Sequence, residues 1–372
     1  MPHRVEDGWQ IAHTHCMQTT NHPASAKGSN MSEPKVMTVL GPVAPDALGA
    51  VLMHEHILCD LTPLARRGSG EPAVEITLEN AFDVNYRPGE FFGNHRLADE
   101  ALAAREVTLF AQQGGGTIVE MTTAGIAPDL EGLARISRAT GVHVIASAGY
   151  YTEPYLDPET LSLPVEALTE VIVEELSVGA RGTAVRCGII GEIGCSWPLT
   201  PFENRSLQAG ARAQRQTGAA ITVHPGRHPQ APHDILTILD KAGADISRVI
   251  IDHMDRTYED DGEIVALARR GCVVEFDFFG IETSKYWMGV ADLPTDWMRL
   301  RCIRRLFDAG LADRVVVSHD ICTRSRLQTL GGHGYGHLLR NVAPLMIERG
   351  FTQGEIDRLL IETPRRLLAR PL

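Results

Sequence analysis

No apolar run in this 372-residue chain approaches the roughly 20 residues that a membrane helix needs. The opening MPHRVEDGWQIAHTHC also lacks the apolar stretch of a secretory signal. No membrane partner is therefore expected, and the cytoplasm is the expected compartment. There is no C-x-x-C, and the seven cysteines are odd in number and widely spaced, which excludes a zinc ribbon or a disulfide scaffold. Positive charge is short as well. Lysine and arginine total 35 against 47 aspartates and glutamates, a net charge of −12. So acidic a surface excludes nucleic acid as the main partner. It leaves open a small anionic substrate, which needs only a local positive pocket.

What is present is ordinary for a globular protein, with 44% hydrophobic and 22% charged residues. Residues 1–30 are polar and show no apolar period, and Met31 opens MSEPKVMTVLGPV. They are expected to be a disordered extension, with residues 31–372 forming one domain. His13-Thr-His15 lies in that extension with no strand around it and is expected to be a solvated segment. From there, short Val- and Ile-rich runs alternate with longer helical patterns. The runs are 49–56, 116–122, 142–149, 187–194, 219–225, 248–254, 272–278 and 314–320. Such runs suit strands buried on both faces of a parallel sheet. Eight of them with helices between predict the α/β class and a closed (β/α)8 TIM barrel. Residues 57–96 after the first strand and 281–296 after the seventh are the expected insertions, the first as part of a lid. The tail from 338 reads as helices closing the barrel.

His54 and His56 end the first run, Glu192 lies near the end of the fourth, and His224, His253 and Asp320 end the fifth, sixth and eighth. The C-terminal ends of barrel strands converge on one rim, where active sites of this fold lie. Residues i and i+2 of a strand share a face, so His54 and His56 can hold one ion while Glu55 points away. Imidazole and carboxylate donors suit zinc, with manganese, cobalt or iron as alternatives.

The segments HEH, GEIG, TVHPG, IDHMD and HDICTRSRLQTLGGHGYGH together resemble the phosphotriesterase family of the amidohydrolase superfamily, and its phosphotriesterase-related subgroup in particular. The resemblance runs from about residue 36 to the end. It implies a metal-dependent hydrolase with two divalent ions. His54, His56 and Asp320 match the ligands of the more buried ion, and His224 and His253 those of the more exposed one. In the best-known members a carboxylated lysine on the fourth strand bridges the ions. Here the strand reads IIGEIG, and the four lysines, Lys27, Lys35, Lys241 and Lys285, all lie elsewhere. Glu192 takes the bridging place, as in the subgroup, and its carboxylate can span the roughly 3.5–4 Å between paired cations.

The implied chemistry is attack by a metal-bridging hydroxide, with Asp320 as general base and His319 as a neighbour that orients it or merely packs. Tyr151 (with Tyr150), Arg227 (with His228), Lys285 (with Tyr286 and Trp287) and Arg324 (with Arg326) follow strand ends and are the candidate substrate groups. The run GGHGYGH at 331–337 lacks the Lys-Ser/Thr of a phosphate loop and is expected as a tight turn with His333 or His337 near the rim. The leading expectation is hydrolysis of a lactone or carboxylic ester. A small amide such as an N-acyl amino acid comes second, weak phosphotriester hydrolysis third, and a non-catalytic binding barrel last. Relatives are often homodimers, which is the implied assembly.

Overall fold

The computed structural model describes residues 33–70, 72–283, 288 and 292–372. The expected extension at 1–30 and Lys285, Tyr286 and Trp287 lie outside the described residues. Eight strands form one all-parallel sheet. They are β1 (Ala50–Glu55), β2 (Gly115–Glu120), β3 (His143–Ala148), β4 (Ile189–Gly194), β5 (Ile221–His224), β6 (Val249–Ile251), β7 (Val273–Phe276) and β8 (Val315–Val317). Each pairs with the next in sequence order. The edges then meet: Asp320 N donates to His54 O at 3.1 Å and His56 N to Ile321 O at 3.3 Å. A sheet that closes on itself leaves no exposed edge, and this one is the expected (β/α)8 barrel.

Helices cross over the outside: α1 (Glu100–Gln112), α2 (Leu130–Thr140), α3 (Val165–Ser177), α4 (Pro201–Thr217), α5 (Ala231–Lys241), α6 (Asp261–Ala268) and α7 (Asp296–Asp308). Their starts are set by side-chain caps. Asp99 accepts from Leu102 N at α1, Asp129 from Gly132 N at α2, and Thr200 with Glu203 makes a capping box at α4. Gly141 and Gly218 end α2 and α4 in the left-handed conformation. The tail is helical from Leu338 to Glu348 and from Gln353 to Leu368, and it plugs the barrel floor with Leu367 and Leu368. No helix among the described residues is long and apolar enough to cross a membrane.

Strand alternation sorts the side chains into layers. Leu52, Ile118, Val144, Ile190, Val249, Ile251, Val274 and Val315 face the helices. Val51, Val119, Ile145, Ile189, Ala220, Ile250, Val273 and Val316 fill the lower interior. Two residues further along β5 to β8 the inward positions turn polar: Thr222, Asp252, Glu275 and Ser318, all fully buried. Another two bring His224, Asp277 and Asp320 to the rim. On β1 a register shift between Leu52 and Glu55 breaks the alternation and turns His54 and His56 inward.

Two features were not foreseen. A hairpin of Val36–Thr38 with Gly41–Val43 covers the barrel bottom and sends Val36 into its interior. The insertion after β1 has its own base, where Cys59–Asp60 pairs with Arg96–Leu97.

Candidate metal centre and substrate pocket

Five barrel strands and the turns after them deliver His54, His56, Glu192, His224, His253 and Asp320 to one buried cluster. Glu192 lies at its middle, and its two oxygens face different partners. Oε1 is 3.3 Å from His56 Nε2 and 3.8 Å from His54 Nε2. Oε2 is 2.9 Å from His224 Nδ1 and 3.9 Å from His253 Nε2. Asp320 Oδ1 closes the first half, 3.4 Å from His56 Nε2 and 3.8 Å from His54 Nε2. His253 Nε2 and His224 Nδ1 close the second at 2.9 Å.

The backbone that achieves this is unusual at two places. Asp252 faces inward, so simple alternation would turn His253 out. A left-handed conformation at His253, with φ of +59°, swings its ring back to the cluster. Asp320 also sits in the left-handed region, at φ +49°. Non-glycine residues held there are strained, and such strain gathers at functional sites.

Neighbouring groups fix which ring nitrogen each histidine presents. Asp277 accepts from His253 Nδ1 at 2.9 Å and from its backbone N–H at 3.0 Å, which turns Nε2 to the cluster. His56 Nδ1 meets Thr122 Oγ1 at 3.0 Å, and that hydroxyl donates to Glu120 at 2.5 Å. His54 Nδ1 faces Asp252 and Asp277, each at 3.5 Å. Outer carboxylates of this kind orient imidazoles and raise their basicity toward metals. Glu55 does point away. It accepts from Ser318 Oγ, His319 N, His319 Nδ1 and Ile321 N, and so pins the end of β8 to β1.

The residues fit metal ions. His54 Nε2 is fully buried and has no hydrogen-bond partner, a costly state unless something else occupies it. His54, His56 and Asp320 offer donor atoms within 4.8 Å of one another, as do His54, Glu192, Asp252 and His253. Neutral imidazoles and carboxylates are the donors that zinc and its neighbours take. The electrostatics agree. Burial alone would depress His56, but hydrogen bonds to Asp320 and Glu192 override it and carry it to about 9. Burial likewise works against charge on His54, yet Glu192 and Asp252 push it well up. This half of the cluster therefore demands positive charge. The other half does not: burial takes His224 down to about 4 and His253 well below its usual value, with Arg256 adding to both.

A cavity of about 250 Å³ opens beside the cluster. His56, Glu192, His224, His253 and Asp320 form its floor, and Tyr151, Tyr155, Phe278, Leu61 and Pro63 its less polar walls. Arg66, Arg227, Arg256 and Arg326 line it too. The insertion after β1 thus supplies a wall, through Leu61, Pro63, Arg66, Gly89 and His95.

Among the expected substrate groups, Tyr151 and Arg227 line this cavity and Lys285 lies outside the described residues. Arg324 is a correction. It lines a separate crevice with Arg96 and Tyr335, its backbone N–H bound to Asn94 O, because the single helical turn Arg324–Arg326 points its two arginines apart. Arg326 is the one at the site. Tyr150 packs edge-on against Phe202 instead, and His228 is exposed and stacks on Trp197. Both ring nitrogens of His319 are engaged, Nδ1 with Glu55 and Nε2 as acceptor from Leu338 N. In the 331–337 turn, Tyr335 donates to His56 O at 2.7 Å, while His337 binds Asp296 and His333 packs against the His319 ring. Sequence reasoning missed Asp252, Glu275 and Asp277. Their V-x-E-x-D and I-x-D alternation on buried strands was the available signal.

The model of the phosphotriesterase family matches residues 34–368. The chain is 44% identical over 343 residues to an N-acetyltaurine hydrolase of Homo sapiens, covering 90% of this chain and 97% of that one. Among solved structures, a resiniferatoxin-binding protein from Rhodobacter sphaeroides superposes with a TM-score of 0.84 at 34% identity, over 90% of this chain and 94% of the other. A PTE-like lactonase mutant from Deinococcus radiodurans superposes with a TM-score of 0.71 at 27% identity, over 90% and 99%.

Proposed function

The chain belongs to the phosphotriesterase family and is a hydrolase, and from that we propose that it cleaves the amide bond of a small anionic N-acyl compound, an N-acylated amino sulfonate or amino acid. Two divalent ions, zinc first among them, would be held by His54, His56 and Asp320 on one side and by His224 and His253 on the other, with Glu192 between. Such ions polarise a carbonyl oxygen and make water a nucleophile at neutral pH.

The observation that carries the choice of substrate is the set of four arginines lining the pocket of a chain whose net charge is −12. Their positive charge favours an anionic substrate end, which a neutral lactone does not offer. The similarity to an N-acetyltaurine hydrolase over nearly its full length points the same way. The amide reading, second from the sequence, therefore moves ahead of the ester. The lactone reading is supported by the fold shared with a lactonase at 27% identity. A pure binding role is disfavoured by Asp320, which a binder does not need.

The chain's own residues share the remaining work. Water attacks the carbonyl carbon, the C–N bond breaks, and a carboxylic acid and a free amine form. Asp320 takes the proton from the water and delivers it to the departing nitrogen. It is suited to this: although burial opposes charge, the His56 hydrogen bond and the charges of His54 and Arg326 hold it ionised below the usual carboxylate range. The arginines hold the anionic end in place. The test is a panel of N-acetyltaurine, N-acyl amino acids and plain lactones offered to the metal-loaded protein and to Asp320→Asn. The anionic amides are expected to turn over fastest, and the variant to lose at least a hundredfold in kcat, in line with general-base catalysis. Faster lactone turnover, or near-normal rates in the variant, would refute the reading.

A further inference from the structure

Arg299 is fully buried on α7, a helix of the outer layer. Arginine is seldom buried unless its charge and its donors are matched. Here they are matched across three segments of chain. Nε donates to the carboxylate of Asp255, in the turn Met254–Arg256 that follows His253. Nη1 donates to Asp296 Oδ1 at 2.8 Å, at the start of α7 itself. Nη2 donates to Ile281 O at 3.0 Å, in the loop after β7. Asp296 is anchored in its turn: it accepts from Gly280 N at 2.9 Å and meets His337 Nε2 at 2.7 Å. One side chain thus ties the segments that follow β6 and β7 to an outer helix.

The hydrogen bonds continue beyond Asp255. Its Oδ2 accepts from the backbone N–H of Asp277 at 2.9 Å. The Asp277 carboxylate accepts from His253 N at 3.0 Å and meets His253 Nδ1 at 2.9 Å. An unbroken run therefore leads from Arg299 through Asp255 and Asp277 to the His253 ring. His253 needs such support. A left-handed backbone at a non-glycine residue persists only where its surroundings over-determine it, and Asp255 lies two residues further along the same turn. The opposite half of the cluster is fastened elsewhere. His54 N donates to Ser318 Oγ at 2.9 Å, and His56 Nδ1 meets Thr122 Oγ1 at 3.0 Å. Asp277 also faces His54 Nδ1 at 3.5 Å, but it shares that nitrogen with Asp252.

We propose that Arg299 is a positioning residue for the metal centre. Through Asp255 and Asp277 it aims His253 Nε2 at the ion shared with His224, from a place that does not line the substrate cavity. The assignment rests on the two-ion reading above. A lysine would keep the charge but cannot set several donors in a fixed fork.

Zinc is titrated calorimetrically into metal-free wild type, Arg299→Lys, Asp255→Asn and Ile303→Val, each well below its Tm. Ile303 is equally buried on α7 and takes no part in the run, so its variant reports plain loosening of the helix. Wild type should show two binding events. In Arg299→Lys and in Asp255→Asn one of the two affinities should fall about ten- to a hundredfold, the loss usual for an outer hydrogen-bond partner, with the other changed far less. Ile303→Val should lower Tm and leave both affinities as in wild type. Unchanged affinities in Arg299→Lys overturn the proposal, and so does an equal loss at both events or a comparable loss in Ile303→Val. If Arg299→Lys does not fold, Asp255→Asn decides on the same terms. A wild type that takes a single ion overturns the two-ion reading alone if Arg299→Lys still weakens that ion about tenfold and Ile303→Val does not; otherwise it overturns both.

Discussion

At the scale of single residues, the cluster divides into two electrostatic halves. His54 and His56 lie against carboxylates that favour their protonated forms, whereas His224 and His253 are held neutral. In metal-free protein the raised His56 contributes stability that is fully present below the ordinary histidine value of 6.5 and disappears as pH rises through about 9. Its size is about 3 kcal/mol at most, from 1.36 kcal/mol per unit. A metal ion needs the neutral imidazole, so loading of this half competes with protons and tightens over the same window. The low-lying pair titrates below it. Melting curves of metal-free and metal-loaded protein at pH 6.5 and pH 9 are therefore expected to diverge, with the gap in Tm wider at pH 9. A gap independent of pH would mean that no histidine in the cluster carries a proton when metal is absent.

At the scale of elements, β4 shows how a strand is built around one side chain. Gly191 precedes Glu192 with φ of +97°, and a Cβ there would stand 2.0 Å from the Thr222 carbonyl on β5. Gly191→Ala should destabilise the fold by on the order of 3 kcal/mol, the sum of backbone strain and overpacking. It should also displace Glu192 and lower metal content. Calorimetric melting and metal analysis check this, and a variant with unchanged Tm and metal would refute the packing argument. The elements also show what was legible in the sequence. His54, His56, Glu192, His224, His253 and Asp320 could be assigned to one rim because barrel strand ends converge there, although the strand period alone would turn His253 outward and gives no sign of the register shift on β1. Asp252 and Glu275 were equally placed by that period but read as ordinary strand residues. The choice between Arg324 and Arg326 could not be made, since a single helical turn in a loop has no apolar period to orient it. Arg66 and His95 were hidden for the same reason, in an insertion whose fold depends on the short pairing of Cys59–Asp60 with Arg96–Leu97.

At the scale of the molecule, an acidic protein concentrates arginine in one small cavity above a histidine and carboxylate floor. The barrel places the floor, and the loops after its strands place the arginines, so under the proposed function the bond cleaved and the substrate chosen would be set by separate parts of the structure. The claim on which the rest depends is that Glu192 joins two metal ions into one centre. Metal content of the reconstituted protein and of its Glu192→Gln variant tests it most directly. Two divalent ions per chain are expected in the wild type, and one or none, with turnover lost, in the variant. A wild type that binds no more than one ion, or a variant that keeps two with full turnover, would contradict the account.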